Sequence, residues 1–192
     1  MGDRYDSIRS EAEPWSERGC RVLLLAAYDT AFDDGPLQSA HVAPIALVFL
    51  SNLLRPDAQE TFRYFASQGV SVRVISGDNP ITVAQVATRA GIENADRYVD
   101  ASTLSTEQDF EEAVKYYTVF GRVTPEQKRY LVRAFQKQGH TVAMTGDGVN
   151  DVLALKDANC GIAMASGSQA ASQVAQIVLL NSQFSAMPAI VA

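Results

Sequence analysis

The feature that most constrains the fold is a unit that recurs from residue 45 onward: a short apolar run, a polar loop, and a segment of helical periodicity that ends at a glycine. An alternation of this kind predicts parallel strands joined by crossover helices. Four apolar runs predict strands: Ile45–Leu50, Val72–Ile75, Tyr117–Phe120 and Thr141–Met144. Two further short apolar runs follow them, Gly161–Met164 and Ile177–Leu180. We therefore expect an α/β fold with a doubly wound parallel sheet.

The helical segments between these runs carry clear start and stop signals. Pro56 opens the first segment, and Asn79 with Pro80 forms an N-cap and first-turn pair for the second. Thr124 and Gln127 form a T-x-x-Q capping box for the third. The predicted stops are Gly69, Gly91 and Gly139.

The first 44 residues do not follow this pattern. Cys20–Ala27 is one strong apolar strand between polar stretches, and Ala31–Ala43 has no clear periodicity. We therefore expect two parts, residues 1–44 as the remnant of another module and residues 45–192 as the α/β domain. Within the second part, the polar segment Glu93–Gln108 predicts a loop that leads into a short helix.

Charge and composition exclude several classes of protein. The chain has 16 Lys and Arg against 22 Asp and Glu, a net charge of −6, which argues against a nucleic-acid partner. The longest apolar run, Val42–Leu50, contains Pro44 and is far shorter than the roughly 20 residues of a membrane-spanning helix. Cys20 and Cys160 have no second Cys or His at metal-ligand spacing, so we expect reduced thiols in a reducing, cytoplasmic setting.

The residues that carry chemistry follow the predicted strands at their carboxyl ends, where open parallel sheets bind ligands. The run Thr145–Asp151 reads TGDGVND. Gly146 and Gly148 permit a tight turn, and the carboxylates of Asp147 and Asp151 bracket the start of a helix, which suits Mg²⁺. The alternative is an ordinary turn followed by an N-cap.

Two further loops supply candidates for binding a phosphate group. Ser76, Gly77 and Asp78 precede a helix, so the Ser hydroxyl and the loop N–H groups could hold a phosphate oxygen. Lys128 lies in the first turn of a capped helix, where a cation opposes the helix dipole and favours a nearby anion. The alternatives are a capped turn and a solvated lysine. Together with Mg²⁺, the three loops would supply what phosphoryl transfer needs except a nucleophile.

Three motifs in this order carry a resemblance to a known family: VISGDN, then GRVTPEQK, then TGDGVNDVLALKDANCGIAMASGS. They resemble the phosphorylation domain of P-type cation-transporting ATPases, a branch of the haloacid-dehalogenase superfamily. The resemblance covers residues 45–188. Residues 1–44, with GCRVLLLAAYD, resemble the last strand of the nucleotide-binding domain that is inserted into the phosphorylation domain.

The resemblance implies roles for the acidic loop. Asp147 and Asp151 would provide the Mg²⁺ site, and Asn150 would support the metal and the phosphate. Thr145 and Gly146 would contribute to cofactor binding. The implied cofactors are Mg²⁺ and ATP.

The resemblance also implies roles outside that loop. Ser76, with Gly77 and Asp78, would bind phosphoryl oxygens, and Ser76 stands where the family more often has Thr. Lys128 would neutralise the phosphoryl group. Arg55 would contact the nucleotide or the hinge, although the family's Asp-Pro-x-Arg stands here as Asn52-Leu53-Leu54-Arg55.

The sequence departs from the family pattern at the nucleophile. The family's Asp-Lys-Thr-Gly, whose Asp becomes the aspartyl phosphate, is absent, so we expect the chain to begin after it. Asp29 and Asp33 follow an apolar strand, but no Lys-Thr-Gly follows either of them. Amides also stand where the family suggests Asp: Asn159, Gln176 and Asn181.

These observations predict the cytoplasmic part of an ATP-driven cation pump, an integral membrane protein of the cell membrane. Its partners would be ATP, a transported cation, and the remainder of the pump with its membrane helices. This chain alone would be inactive, because it lacks the nucleophile. A soluble haloacid-dehalogenase phosphatase and a noncatalytic interaction module are the alternatives.

A missing nucleophile strand would also affect the sheet. In this superfamily the nucleophile follows a central strand, so its absence would leave neighbouring strands with unpaired backbone groups. We expect either that Val22–Ala27 fills the gap or that a partner supplies a strand.

Overall fold

The computed structural model describes residues 2–18, 20–30, 41–51 and 53–191. It divides the chain into two compact units, Met1–Leu53 and Leu54–Ala192. Asp33, Asp34 and Asn52 lie outside the described residues. The division between the units lies later in the chain than the predicted boundary after residue 44.

The first unit is a helix followed by an antiparallel hairpin. Helix α1 spans Gly2–Glu17, strand β1 spans Cys20–Tyr28 and strand β2 spans Val42–Ser51. The register shifts between Leu25 and Ala26, where Ala46 and Pro44 are the partners. Proline lacks the N–H that a central strand needs, which favours an edge position for β2.

This pairing corrects two sequence-based expectations. Ile45–Leu50 lies in β2 and pairs antiparallel with β1, so its interpretation as the first strand of the parallel sheet is wrong. Val22–Ala27 lies in β1 and also pairs only within this hairpin among the described residues, so it does not fill a gap in the parallel sheet. Apolar content alone does not distinguish a parallel strand from an antiparallel one.

The second unit alternates strands and helices, as predicted. In chain order its elements are α2 Ala58–Ser67, β3 Val74–Ile75, α3 Pro80–Arg89, β4 Tyr98–Asp100, α4 Glu107–Tyr116, β5 Val119–Gly121, α5 Pro125–Lys137, β6 Ala143–Gly146, α6 Val152–Asp157, β7 Cys160–Met164, α7 Gln169–Val174, β8 Ile177–Leu179 and α8 Met187–Val191. Short 3-10 turns precede α4, α6 and α8. Strand β4 was not predicted, because its three residues lie in a polar stretch.

The strands of the second unit form two parallel sheets, ordered β3-β5-β4 and β6-β7-β8. The predicted α/β architecture with parallel strands is therefore confirmed. Among the described residues, β3 pairs only with β5 and β6 pairs only with β7, so each is an edge strand.

Helix α5 contributes to buried apolar clusters that contain strand residues of both sheets. Leu131, Ala134 and Phe135 join one buried apolar cluster with Phe120 of β5, while Val132 joins a second cluster beside β6 and β7. Ile75 of β3 and Val142, which precedes β6, are both half-buried against the first cluster. The core thereby fixes the position of α5 relative to the carboxyl ends of both sheets.

The predicted caps and stops are confirmed, but Pro56 is not in the first turn of a helix, because α2 begins at Ala58 after Asp57 as N-cap. The Asn79 side chain accepts a hydrogen bond from the Ile81 N–H, and Thr124 and Gln127 form a reciprocal capping box. The three predicted stop glycines all have positive φ, at +74° for Gly69, +81° for Gly91 and +85° for Gly139. The left-handed conformation is the one that favours glycine at a helix end.

Candidate active site at the carboxyl ends of the strands

The best-defined polar contact at the strand ends joins Lys128 to Asp151. Lys128 Nζ lies 2.6 Å from Asp151 Oδ1, and the two side chains are only 14% and 9% exposed. Lys128 is in the first turn of α5, while Asp151 ends the 3-10 turn that follows β6. The predicted approach of Lys128 to the acidic loop is therefore present.

The second carboxylate oxygen of Asp151 organises its own loop. Asp151 Oδ2 accepts the backbone N–H of Asp147 at 3.3 Å and that of Gly148 at 3.1 Å. Gly146 makes room for this arrangement, because a Cβ added there would lie 2.6 Å from the Asp151 Cβ. Both oxygens of Asp151 are therefore engaged by the protein itself.

Asp147 differs from Asp151 in its surroundings. It is exposed, and no hydrogen bond or ion pair reaches its carboxylate from the residues that the structure describes. Asn150 is also exposed and Thr145 is half-buried, and within the same ranges neither side chain has a hydrogen bond. The loop thus offers one carboxylate that is free to bind a cation.

The structure places the Ser76 loop beside the loop that enters α5. Ser76 Oγ accepts the Asp78 N–H at 3.1 Å, and the Ser76 carbonyl accepts the Val123 N–H at 2.9 Å. The Asp78 carbonyl accepts the Arg122 N–H at 2.8 Å. Gly77 is exposed, with only the Val123 carbonyl near its missing side chain, at 3.8 Å.

Ser76 and Lys128 are therefore linked through backbone rather than by direct contact. Among the described residues, no hydrogen bond joins Ser76 to Lys128, Asp147 or Asp151. Val123 is followed by Thr124, the cap of α5, so the position of the Ser76 loop is tied to the start of the helix that carries Lys128.

Arg55 lies away from these contacts. Its Nη1 donates to the Ser182 carbonyl at 3.2 Å, in the turn that follows β8. Arg55 is near the start of the second unit. Its predicted contact with nucleotide or hinge stays a prediction.

One ion pair at the strand ends was not anticipated. Arg122 Nη1 lies 2.7 Å from Asp100 Oδ2, and Arg122 has a positive φ of 52°. The Ser102 hydroxyl, together with the Ser102 N–H and the charge of Arg122, holds the pKa of Asp100 below its ordinary value, although partial burial opposes this. Arg122 is visible in the GRVTPEQK motif, but nothing in the sequence indicates its partner.

The amides that replace expected carboxylates have structural partners. Asn159 Oδ1 accepts the Val142 N–H at 2.9 Å, and Asn181 Oδ1 accepts the Gln183 N–H at 3.1 Å. Gln176 Oε1 accepts the Gly161 N–H. An amide oxygen fills each acceptor position that a carboxylate oxygen could also fill.

Two features are absent from the described ranges. No group of three or more His, Cys, Asp or Glu residues is arranged to hold a metal ion there. In the same part of the chain, no helix is both long enough and apolar enough to cross a membrane.

The chain is similar in sequence and fold to proteins of known family. A family model described as a haloacid dehalogenase-like hydrolase matches residues 6–159. The calcium-transporting ATPase CtpE of Mycobacterium tuberculosis (strain CDC 1551 / Oshkosh) is 53% identical over 182 residues, which are 94% of this chain and 22% of that protein. The probable cation-transporting ATPase exp7 of Streptococcus pneumoniae serotype 4 is 43% identical over 186 residues, 96% of this chain and 24% of that protein.

A solved structure agrees in fold. A zinc-transporting PIB-type ATPase in its E2.Pi state superposes with a TM-score of 0.65 at 24% identity, over 97% of this chain and 24% of that one. The chain spans between a fifth and a quarter of the length of the curated relatives described here. As the sequence motifs predicted, the chain belongs to the haloacid dehalogenase-like hydrolase family, and the curated relatives that it matches are cation-transporting ATPases.

Proposed function

We propose that this chain is the cytoplasmic phosphorylation-domain part of a P-type ATPase, in which ATP hydrolysis drives the transport of a cation. The observation that carries the proposal is the Lys128–Asp151 pair. In this pair the ammonium group of Lys128, from α5, contacts the loop that carries the unpaired carboxylate of Asp147. Phosphoryl transfer needs these two elements, a cation to neutralise phosphoryl oxygens and a site for Mg²⁺.

Asp147 is the residue that would bind Mg²⁺ directly. Its carboxylate is exposed and free, and Mg²⁺ commonly takes one or two protein carboxylates together with water and substrate oxygens. Asp151 supports this site through its hydrogen bonds to Asp147 and Gly148, and Asn150 lies beside it with an unused amide. Thr145 and Gly146 form the strand end that carries the loop. When bound, the metal would neutralise charge on the phosphoryl group.

The chain's own residues would position and neutralise that group. Lys128 is held by Asp151, and its ammonium group has three N–H donors. One of them can donate a hydrogen bond to a phosphoryl oxygen while another keeps the ion pair with Asp151. Gly77 and Asp78 are exposed residues that directly precede Asn79, the N-cap of α3, where the helix dipole favours an anion. Among the described residues the Gly77 N–H has no acceptor, whereas the Asp78 N–H donates to Ser76 Oγ. Ser76 braces this turn with its hydroxyl.

The nucleophile would come from a strand outside this sequence. Among the described residues β3 and β6 are edge strands, and Ile75 of β3 and Val142, which precedes β6, pack against one cluster, which supports a place for a strand between them. The predicted strand supplied by a partner, or by the remainder of the pump, stays a proposal.

The substrates and location follow from the relatives rather than from the chain. The named relatives transport calcium or other cations, so we propose ATP as phosphoryl donor, Mg²⁺ as cofactor and a cation as cargo. The remaining partners would be the rest of the pump, including its membrane helices. The acidic composition continues to argue against a nucleic-acid partner.

The test is a Mg²⁺ titration of the ¹⁵N-labelled chain, followed by backbone amide shifts. We expect the earliest shifts in Gly146–Asp151, and we expect Asp147→Asn to remove them. The stability of Asp147→Asn should stay within about 0.5 kcal/mol of wild type, because the carboxylate has no partner to lose. Asp96→Asn is a matched control, since Asp96 is also an exposed Asp without a hydrogen bond or ion pair in the described ranges.

The contrary outcome is equally definite. If Mg²⁺ shifts only residues such as Asp33, Asp34 or Glu111, or if Asp147→Asn and Asp96→Asn behave alike, the proposed metal site is wrong.

A further inference from the structure

The turn between β7 and α7, residues 165–168, is in close contact with Asp147. A Cβ added at Gly167 would lie 2.9 Å from both Cα and Cβ of Asp147, and closer still to the Asp147 carbonyl oxygen. Contacts under 3.0 Å to backbone leave no space for a side chain. Gly167 is therefore required by the close approach of Asp147, 20 residues earlier in the chain.

The same turn also binds the Asp147 backbone. The Ser168 N–H donates to the Asp147 carbonyl at 2.7 Å. On its other side, the Asp147 N–H donates to Asp151 Oδ2. The peptide groups on both sides of the Asp147 Cα are thus held, while its carboxylate is left free.

The turn is itself fixed. All four of its consecutive N–H groups have acceptors: Ala165 to the Leu179 carbonyl at 3.1 Å, Ser166 to Ser182 Oγ at 2.8 Å, Gly167 to the Met164 carbonyl at 2.9 Å, and Ser168 to Asp147. A turn held by four hydrogen bonds can act as a support, because displacing it would break several contacts at once.

We propose that Gly167 and Ser168 are positioning residues. Gly167, by lacking a side chain, and Ser168, through its backbone N–H, fix the Asp147 backbone so that its free carboxylate is preorganised for a divalent cation. This inference rests on the proposed function for the identity of the cation, and it adds a second support to the one that Asp151 provides. Groups that orient a metal ligand contribute strongly to affinity, since their removal commonly costs about 10- to 100-fold.

The first test compares two glycine substitutions. Gly167→Ala should weaken Mg²⁺ binding about 10-fold or more, because the new methyl group displaces Asp147. Gly139→Ala is the matched control: its positive φ of +85° makes the substitution strained, yet nothing lies within 4 Å of the new methyl group. It should therefore destabilise the fold without changing Mg²⁺ affinity.

The second test isolates the Ser168 N–H. Ser168 has φ of −73°, which proline adopts, and its hydroxyl caps α7 by accepting the Ala171 N–H. Ser168→Pro removes the N–H together with the cap, whereas Ser168→Ala removes the cap alone. We expect Ser168→Pro to lose clearly more Mg²⁺ affinity than Ser168→Ala, and the difference reports the loss of the hydrogen bond to Asp147 together with the contact of the proline ring with the Asp147 carbonyl.

A metal-free measurement separates this inference from the proposed function. Amide hydrogen exchange of Asp147 and Gly148 should be faster in Gly167→Ala and Ser168→Pro than in Gly139→Ala and Ser168→Ala. If wild type binds Mg²⁺ and all four variants bind it equally, the positioning role is overturned and the metal site stands. If wild type does not bind Mg²⁺ at this loop, the proposed metal site fails, and unchanged exchange in the variants would overturn the positioning role as well.

Discussion

Lys128 Nζ and Asp151 Oδ1 lie 2.6 Å apart, and this ion pair connects two separate sheets of one unit. Lys128 lies in the first turn of α5, the helix that follows β5 of the β3-β5-β4 sheet, and Asp151 follows β6 of the other sheet. Because Asp151 also holds the N–H groups of Asp147 and Gly148, the pair sets both the position of the lysine and the shape of the acidic loop.

The first prediction concerns the cost of leaving one member of this pair alone. Both side chains are largely buried, so Asp151→Asn and Lys128→Met should each lower the free energy of unfolding by roughly 3 kcal/mol. The double variant should lose less than the sum, because it leaves no unpaired buried charge. Urea unfolding of the four proteins measures this. Strictly additive losses would mean that the two groups do not interact.

The second prediction concerns the start of α5. Thr124→Ala removes the cap and should cost about 1 kcal/mol. Thr106→Ala removes the equivalent capping box of α4 and should cost a similar amount. Only Thr124→Ala should change the NMR signals of Lys128 Nζ and the Asp151 loop, since only α5 carries Lys128. Equal changes in both variants would contradict a local role for this cap.

The third prediction is a pH dependence at the Asp100–Arg122 pair. The Ser102 hydroxyl, the Ser102 N–H and Arg122 hold the folded-state pKa of Asp100 below its ordinary value. The ionised form therefore stabilises the fold above the ordinary pKa, and this contribution is lost as the pH falls through the folded pKa.

Ser102→Ala should raise the pKa of Asp100, because it removes the largest cause of the lowering while the Ser102 backbone N–H remains. A carboxyl-detected NMR titration measures the shift directly. Thr103→Ala is a neighbouring control, since Thr103 Oγ1 donates to the Asp100 carbonyl and not to its carboxylate. An unchanged pKa in Ser102→Ala would show that the hydroxyl has no such effect.

How far the sequence predicts this molecule depends on the range of each interaction. The caps at Asn79 and Thr124 were predicted correctly because a cap involves residues two or three positions apart. Strand Ile45–Leu50 was assigned to the wrong sheet. An apolar run indicates a strand but does not indicate which other strand pairs with it.

Contacts in the site were predictable only in part. Lys128 and Asp151 are 23 residues apart, and their loops were expected to meet because both follow strands at their carboxyl ends. The contact of Gly167 with Asp147 had no such signal, since a glycine in a turn does not reveal which backbone approaches it. The same holds for Asp100, whose partner Arg122 lies on another strand end.

The last prediction is that this chain by itself does not form an aspartyl phosphate. Covalent phosphoryl transfer needs a carboxylate positioned for attack on the phosphorus atom. Asp147 and Asp151 lie on the proposed metal loop, and Asp151 has both oxygens engaged. Asp29, the other candidate within the described residues, follows β1 of an antiparallel hairpin, and its Oδ1 lies 2.7 Å from His41 Nδ1.

The measurement is incubation with γ-labelled ATP and Mg²⁺, then an acid quench and hydroxylamine treatment. We expect no hydroxylamine-sensitive label on the chain. If the proposed function is right, the intact protein should carry such a label, and Lys128→Ala should reduce it, because Lys128 is the cation proposed to neutralise the transferred group. Stoichiometric label on the isolated chain would contradict the prediction. Its loss in Asp29→Asn would then identify Asp29 as the nucleophile, and its persistence would direct the search to Asp33, which lies outside the described residues.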